Sequence, residues 1–112
     1  MALQKSIDKF GQTFSSAYHK VSNVVANSPT HFDVVIYADA TARNTNQAPI
    51  ATKSYTIQDY IDDEVVVSAN SNYFADDVLQ QNGKSPKSQA YEYLKNETSG
   101  ESVDYTVSAQ DV

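Results

Sequence analysis

The sequence predicts an α+β domain that is mainly β: an antiparallel sheet of four or five strands, one helix in the C-terminal half, and a short helix or turn ahead of it. Three observations carry this. His31–Ala42, HFDVVIYADATA, alternates, with Phe32, Val34, Ile36 and Ala38 on one face. A second alternating stretch precedes it across a Pro-containing turn. Ser85-Pro86 then opens a run with helical spacing. At 112 residues the chain makes one domain. It divides into a compact body over residues 1–100, whose first eleven or so form an arm, and an acidic tail over 101–112.

In Met1–Gly11, Leu3, Ile7 and Phe10 have helical spacing, though Phe10-Gly11 equally suits the close of a strand or a turn. The segment reads as an arm that orders against a neighbouring subunit. Thr13–Ala26 reads as one long strand, with a bulge near Ser22-Asn23 where its alternation slips. Asn27-Ser28-Pro29-Thr30 turns it into the central strand, so the two form an antiparallel hairpin. In the central strand Val35 and Tyr37 make the second face half apolar, which predicts cover on both sides.

Ala40–Gln47 is polar and turn-rich. Ile50–Gln58 sets Ala51, Lys53, Tyr55 and Ile57 against Thr52, Ser54 and Thr56, the pattern of a one-sided or edge strand. Asp59–Glu64 reads as an acidic turn, and Val65–Val67 as a short strand. Tyr73–Gln80 suits a short helix or turn, broken at Asn82-Gly83. Over Pro86–Asn96, Ser85 caps and Pro86 takes the first helical position. Ala90, Tyr93 and Leu94 form the apolar stripe of this helix with Tyr91 beside it, and Ser99-Gly100 stops it. The tail alternates weakly at Val103, Tyr105 and Val107, as a free end or a strand added to a sheet edge.

The net charge of −6 and the lone arginine, Arg43, argue against nucleic acid as a partner. No apolar run approaches the ~20 residues that span a bilayer, so no membrane role is expected. The opening lacks the apolar core of a signal peptide, which places synthesis and retention in the cytoplasm. Without cysteine, disulfides and thiolate metal sites are excluded. No residues suggest catalysis, cofactor binding or a metal site. His19 and His31 read as packing or hydrogen-bonding groups of strands. The cluster Asp59, Asp62, Asp63 and Glu64 lacks the spacing and glycine of a calcium loop. Asn96-Glu97-Thr98 is a chance glycosylation triplet, and Arg43 suits a surface pair with Asp39 or Asp33.

The order of local features adds a resemblance. After MALQKSIDKFG come Ala17-Tyr18-His19-Lys20-Val21, a strand ending Ile36-Tyr37-Ala38-Asp39-Ala40-Thr41-Ala42-Arg43, then Ala48-Pro49-Ile50-Ala51-Thr52-Lys53, and finally Gln89-Ala90-Tyr91-Glu92-Tyr93-Leu94-Lys95. In this the chain resembles a group of small structural proteins of tailed bacteriophages. The resemblance implies a non-enzymatic virion component, an oligomeric adaptor in the tail, baseplate or fibre-attachment region. Its partners would be further copies of itself and other virion proteins. A capsid decoration or head-fibre protein is the alternative within a virion. A small module binding a glycan or host protein, through exposed tyrosines, is the alternative outside one. The expected interface residues are Phe10 with the N-terminal arm, Arg43 and its loop, and Val103, Tyr105 and Val107 in the tail.

Overall fold

The computed structural model describes residues 2–26, 29–81, 84–101, 103–107 and 109–112. The expected turn at Asn27 and Ser28 and the break at Asn82-Gly83 lie outside the described residues. In chain order the elements are β1 (Leu3–Gln4), β2 (Ile7–Lys9), β3 (Gln12–Phe14), β4 (Tyr18–Val25), β5 (Thr30–Tyr37), α1 (Ala40–Asn44), β6 (Ala51–Ile57), β7 (Tyr60–Asp62), β8 (Val65–Val67), α2 (Ser71–Phe74), α3 (Asp76–Leu79), α4 (Pro86–Glu97) and β9 (Gln110–Asp111). The fold is α+β and mainly β. Its five-stranded antiparallel sheet runs β6-β5-β4-β1-β9, and β2-β3 and β7-β8 are separate hairpins.

The alternation in β5 sets the core. Phe32, Val34 and Ile36 are buried, as are His19 and Val21 from β4 and Tyr55 and Ile57 from β6. Helices α2 and α4 cover this face with Phe74, Ala90, Tyr91 and Leu94. Ser85 caps α4 as expected, and the cap is reciprocal: Ser85 Oγ accepts from the Ser88 N–H at 3.1 Å, and the Ser85 N–H donates to Ser88 Oγ at 2.9 Å. On the helix's buried side the Tyr91 hydroxyl accepts the Val21 N–H at 2.9 Å, which satisfies a donor on the outer side of β4.

The other sheet face is not covered. His31, Thr52, Ser54 and Thr56 are exposed, and Asp33, Val35 and Tyr37 are half-buried. This corrects the expectation of a central strand packed on both sides. Antiparallel sheets commonly leave one face to water, and occasional apolar residues there are ordinary.

Two further expectations change, and one holds. Thr13–Ala26 is two strands, because the chain turns at Ser15-Ser16-Ala17, with the Ala17 N–H on the Phe14 carbonyl at 3.4 Å. The bulge lies in the expected place: the register slips between Ser22 and Val25, and Asn23 has φ 55°. The polar loop after the central strand contains α1, because Asp39 accepts the Ala42 N–H at 2.7 Å and so supplies an N-cap.

The start of the N-terminal arm orders against this chain's own sheet rather than against a neighbouring subunit. Ala2 and Leu3 are fully buried, and β1 pairs with β4 on one side and β9 on the other. Ala2 and Val112 exchange backbone hydrogen bonds at 3.0 and 3.1 Å, so both ends of the sequence meet at one sheet edge. The alternation at Val103, Tyr105 and Val107 forms no strand; the tail joins this chain's own sheet farther on, through β9 at Gln110–Asp111.

Candidate interaction surface

Among the described residues the Tyr60–Val67 hairpin pairs only with itself, through Tyr60–Val67, Ile61–Val66 and Asp62–Val65. Ile61, Val66, Val65 and Tyr60 are 73, 67, 62 and 51% exposed. A lone two-stranded hairpin is at best marginally stable in water. By the register Ile61 and Val66 share one face of the hairpin, while Tyr60 and Val65 lie on the other, so apolar side chains are exposed on both faces. Asp63 and Glu64 form the turn with φ 50° and 65°. Left-handed backbone at both turn positions suits Asn-Gly or Asp-Gly, so Asp63 fits its position, while Glu64 stands where glycine is favoured and costs about 1–2 kcal/mol. The tip is acidic as a result.

The root of the hairpin is fixed. The Asp59 carboxylate accepts the backbone N–H groups of Asn70 and Ser71 at 2.8 and 2.9 Å, and also the Ser71 hydroxyl. These bonds, led by that from Ser71, hold the Asp59 carboxyl below its ordinary range. On the other side the Asn72 N–H donates to the Ser68 carbonyl at 2.9 Å. The sequence reading placed all of Asp59–Glu64 in a turn. In fact Asp59 is an anchor, Tyr60–Asp62 is a strand, and only Asp63-Glu64 turns. The missed signal was Tyr60-Ile61 standing opposite Val65–Val67 across two turn residues.

The β2-β3 hairpin has a comparable tip. Phe10 (φ 55°) and Gly11 (φ 74°) turn it, and the Phe10 ring is 74% exposed. A bulky residue in the left-handed region is uncommon. The ring meets only the Lys9 ammonium, 5.6 Å from its centroid, among the described cation–π contacts.

The other expected interface residues scatter. Arg43 is half-buried on α1, its guanidinium 5.8 Å from the Tyr37 ring centre. Val103 is half-buried and lines a cleft of about 390 Å³ with Lys5, Ile7, Asp8, Glu101 and Asp104. Val107 is exposed, and its carbonyl accepts from Lys5 Nζ at 2.7 Å.

Tyr105 is a correction: it is buried in the core and has no surface to offer a partner. Its hydroxyl donates to His19 Nδ1 at 2.6 Å, while His19 Nε2–H donates to the Lys5 carbonyl at 2.9 Å. The carbonyl can only accept, so Nε2 carries a proton, and with the pKa held below 6.5 the ring is neutral at pH 7 and Nδ1 accepts. Burial, more than any other influence, pushes the His19 pKa below 6.5 and the Tyr105 pKa up. The Tyr105 N–H donates to Thr98 Oγ1, which donates to the Leu94 carbonyl, both at 2.8 Å. Tyr105 thus ties the arm, β4 and the end of α4 together.

Among the described residues no three His, Asp or Glu side chains group in a way that would hold a metal ion. The chain's most distinctive surface is therefore an apolar, acid-tipped hairpin on a fixed root. Compared with family models, curated proteins and solved structures, the chain matches none.

Proposed function

We propose that this chain is a non-enzymatic assembly protein, acting as an oligomeric adaptor in the tail, baseplate or fibre-attachment region of a tailed-bacteriophage virion. The virion setting rests on the resemblance of the motif order. The assembly role rests on one observation, the β7-β8 hairpin with its four exposed apolar side chains. An isolated monomer gains nothing from exposing them, whereas an assembly buries them.

The test is Ile61→Ser with Val66→Ser. Both side chains are exposed, so the monomer should melt within ~0.5 kcal/mol of the wild type. Native mass spectrometry over a range of concentrations should find discrete oligomers for the wild type and monomer for the variant. A wild type that stays monomeric, alone and with virion components, would sink the assembly role.

A further inference from the structure

The chain has only eight basic side chains, and two of them, Lys20 on β4 and Lys87 in the first turn of α4, line one groove. Burial first, and then the charge of Lys87, hold the Lys20 ammonium below its ordinary pKa. A groove of about 380 Å³ runs between Lys20 and Lys87, with Val21, Val24 and Pro86 in its lining. It follows the outer side of β4. There β1 pairs only with Tyr18 and His19, and beyond them no strand flanks β4 on that side among the described residues. The exposed Val25 extends the apolar strip.

Clustered cations beside an apolar groove on an otherwise acidic protein call for an apolar, acid-tipped occupant. The β7-β8 hairpin has that chemistry: Ile61, Val65 and Val66 on its strands, Asp62, Asp63 and Glu64 at its tip. It does not fill its own chain's groove. Its root follows β6, the opposite edge of the sheet from β1 and β9, and its apolar side chains stay exposed.

We propose that the hairpin of one copy docks in the β4–α4 groove of the next, its acidic turn against Lys20 and Lys87. This deepens the assembly role and rests on it. The occupant is a second copy because this chain carries both complementary surfaces, matched in charge and apolar character. They are different surfaces, so the contact is head-to-tail and its repetition closes a ring or extends a filament.

Charge exchange tests it. One variant carries Asp63→Lys and Glu64→Lys; the other carries Lys20→Glu and Lys87→Glu. Each alone sets like charges against like, and self-association should weaken at least about tenfold. An equimolar mixture sets lysine hairpins against acidic grooves and acidic hairpins against lysine grooves. Native mass spectrometry should then show oligomers restored, with the two variants in equal numbers. Unchanged melting of each variant would exclude misfolding. If the wild type assembles and either variant assembles equally well alone, or if the mixture stays monomeric, the docking mode is overturned while the assembly role stands. A wild type that never assembles overturns both.

Discussion

Tyr105→Ala is expected to destabilise the domain by about 3–5 kcal/mol, the range for deleting a buried aromatic side chain. Little of that reflects surface contact. The substitution empties a core position, removes the donor to His19 Nδ1, and loosens the segment that bonds to Thr98 at the end of α4. Tyr105→Phe isolates the hydrogen bond. It keeps the ring but leaves a buried acceptor unpaired, at about 1–3 kcal/mol.

The same pair makes the fold acid-sensitive. Folded His19 has its pKa lowered from 6.5, chiefly by burial, so between that lowered value and 6.5 the unfolded chain binds more protons than the folded one. Stability therefore rises with pH in this window. The His19 contribution is fully present above 6.5 and is lost as pH falls through it. Asp33, Asp59 and Asp104 have pKa values lowered from 3.8, so their contributions are lost only in more acid solution. Urea unfolding at a series of pH values should show the loss beginning near 6.5 in the wild type, and His19→Gln should abolish that step.

Phe32→Ala is expected to have an effect of similar size, about 3–5 kcal/mol, for a different reason. Phe32 is where four elements meet. Its ring stacks on Tyr55 of β6 with centroids 5.1 Å apart, and lies 6.4 Å from both Phe74 of α2 and Tyr93 of α4. Aromatic pairs of this kind add about 0.5–1.5 kcal/mol beyond their buried area. Domains have only about 5–15 kcal/mol in hand, so the variant should sit close to the limit of folding. Denaturant titration should lower the midpoint without changing the slope. A loss below about 1 kcal/mol would mean that Phe32 is not a keystone of the core.

What the sequence revealed follows from the range of the signal. The central strand and α4 were legible because each carries its signal locally: Phe32, Val34 and Ile36 at period two, and Ser85-Pro86 followed by Ala90 and Leu94. The slip at Ser22–Val25 was legible because two adjacent valines cannot share one strand face. The turn at Ser15-Ser16-Ala17 was hidden because alternation ran through it unbroken. α1 was hidden by polar composition, although Asp39 was in place to cap it. The closure of the ends was illegible for another reason. β1 and β9 have two residues each, too few for any periodicity, and they are held by His19–Tyr105 and Ala2–Val112, pairs distant in sequence.

The interface expectations divided along the same line. Tyr105 read as a tail residue because its partners are remote. Tyr60 and Ile61 read as part of the acidic turn, and Val65–Val67 as a short strand without its partner, because three-residue strands carry too little periodicity to show that the two pair. What singles them out is exposure, which only the folded arrangement supplies.

The most direct test is amide hydrogen exchange on the full chain, at a dilution where it is monomeric and at a concentration where it assembles. Fast local opening is expected of an unsupported hairpin, and burial suppresses it. Residues 60–67 should exchange rapidly in the monomer and become protected on assembly, together with 20–25 and 85–87 on the receiving copy. Oligomers in which residues 60–67 exchange as freely as in the monomer would contradict the assignment of this hairpin as the element that joins one copy to the next.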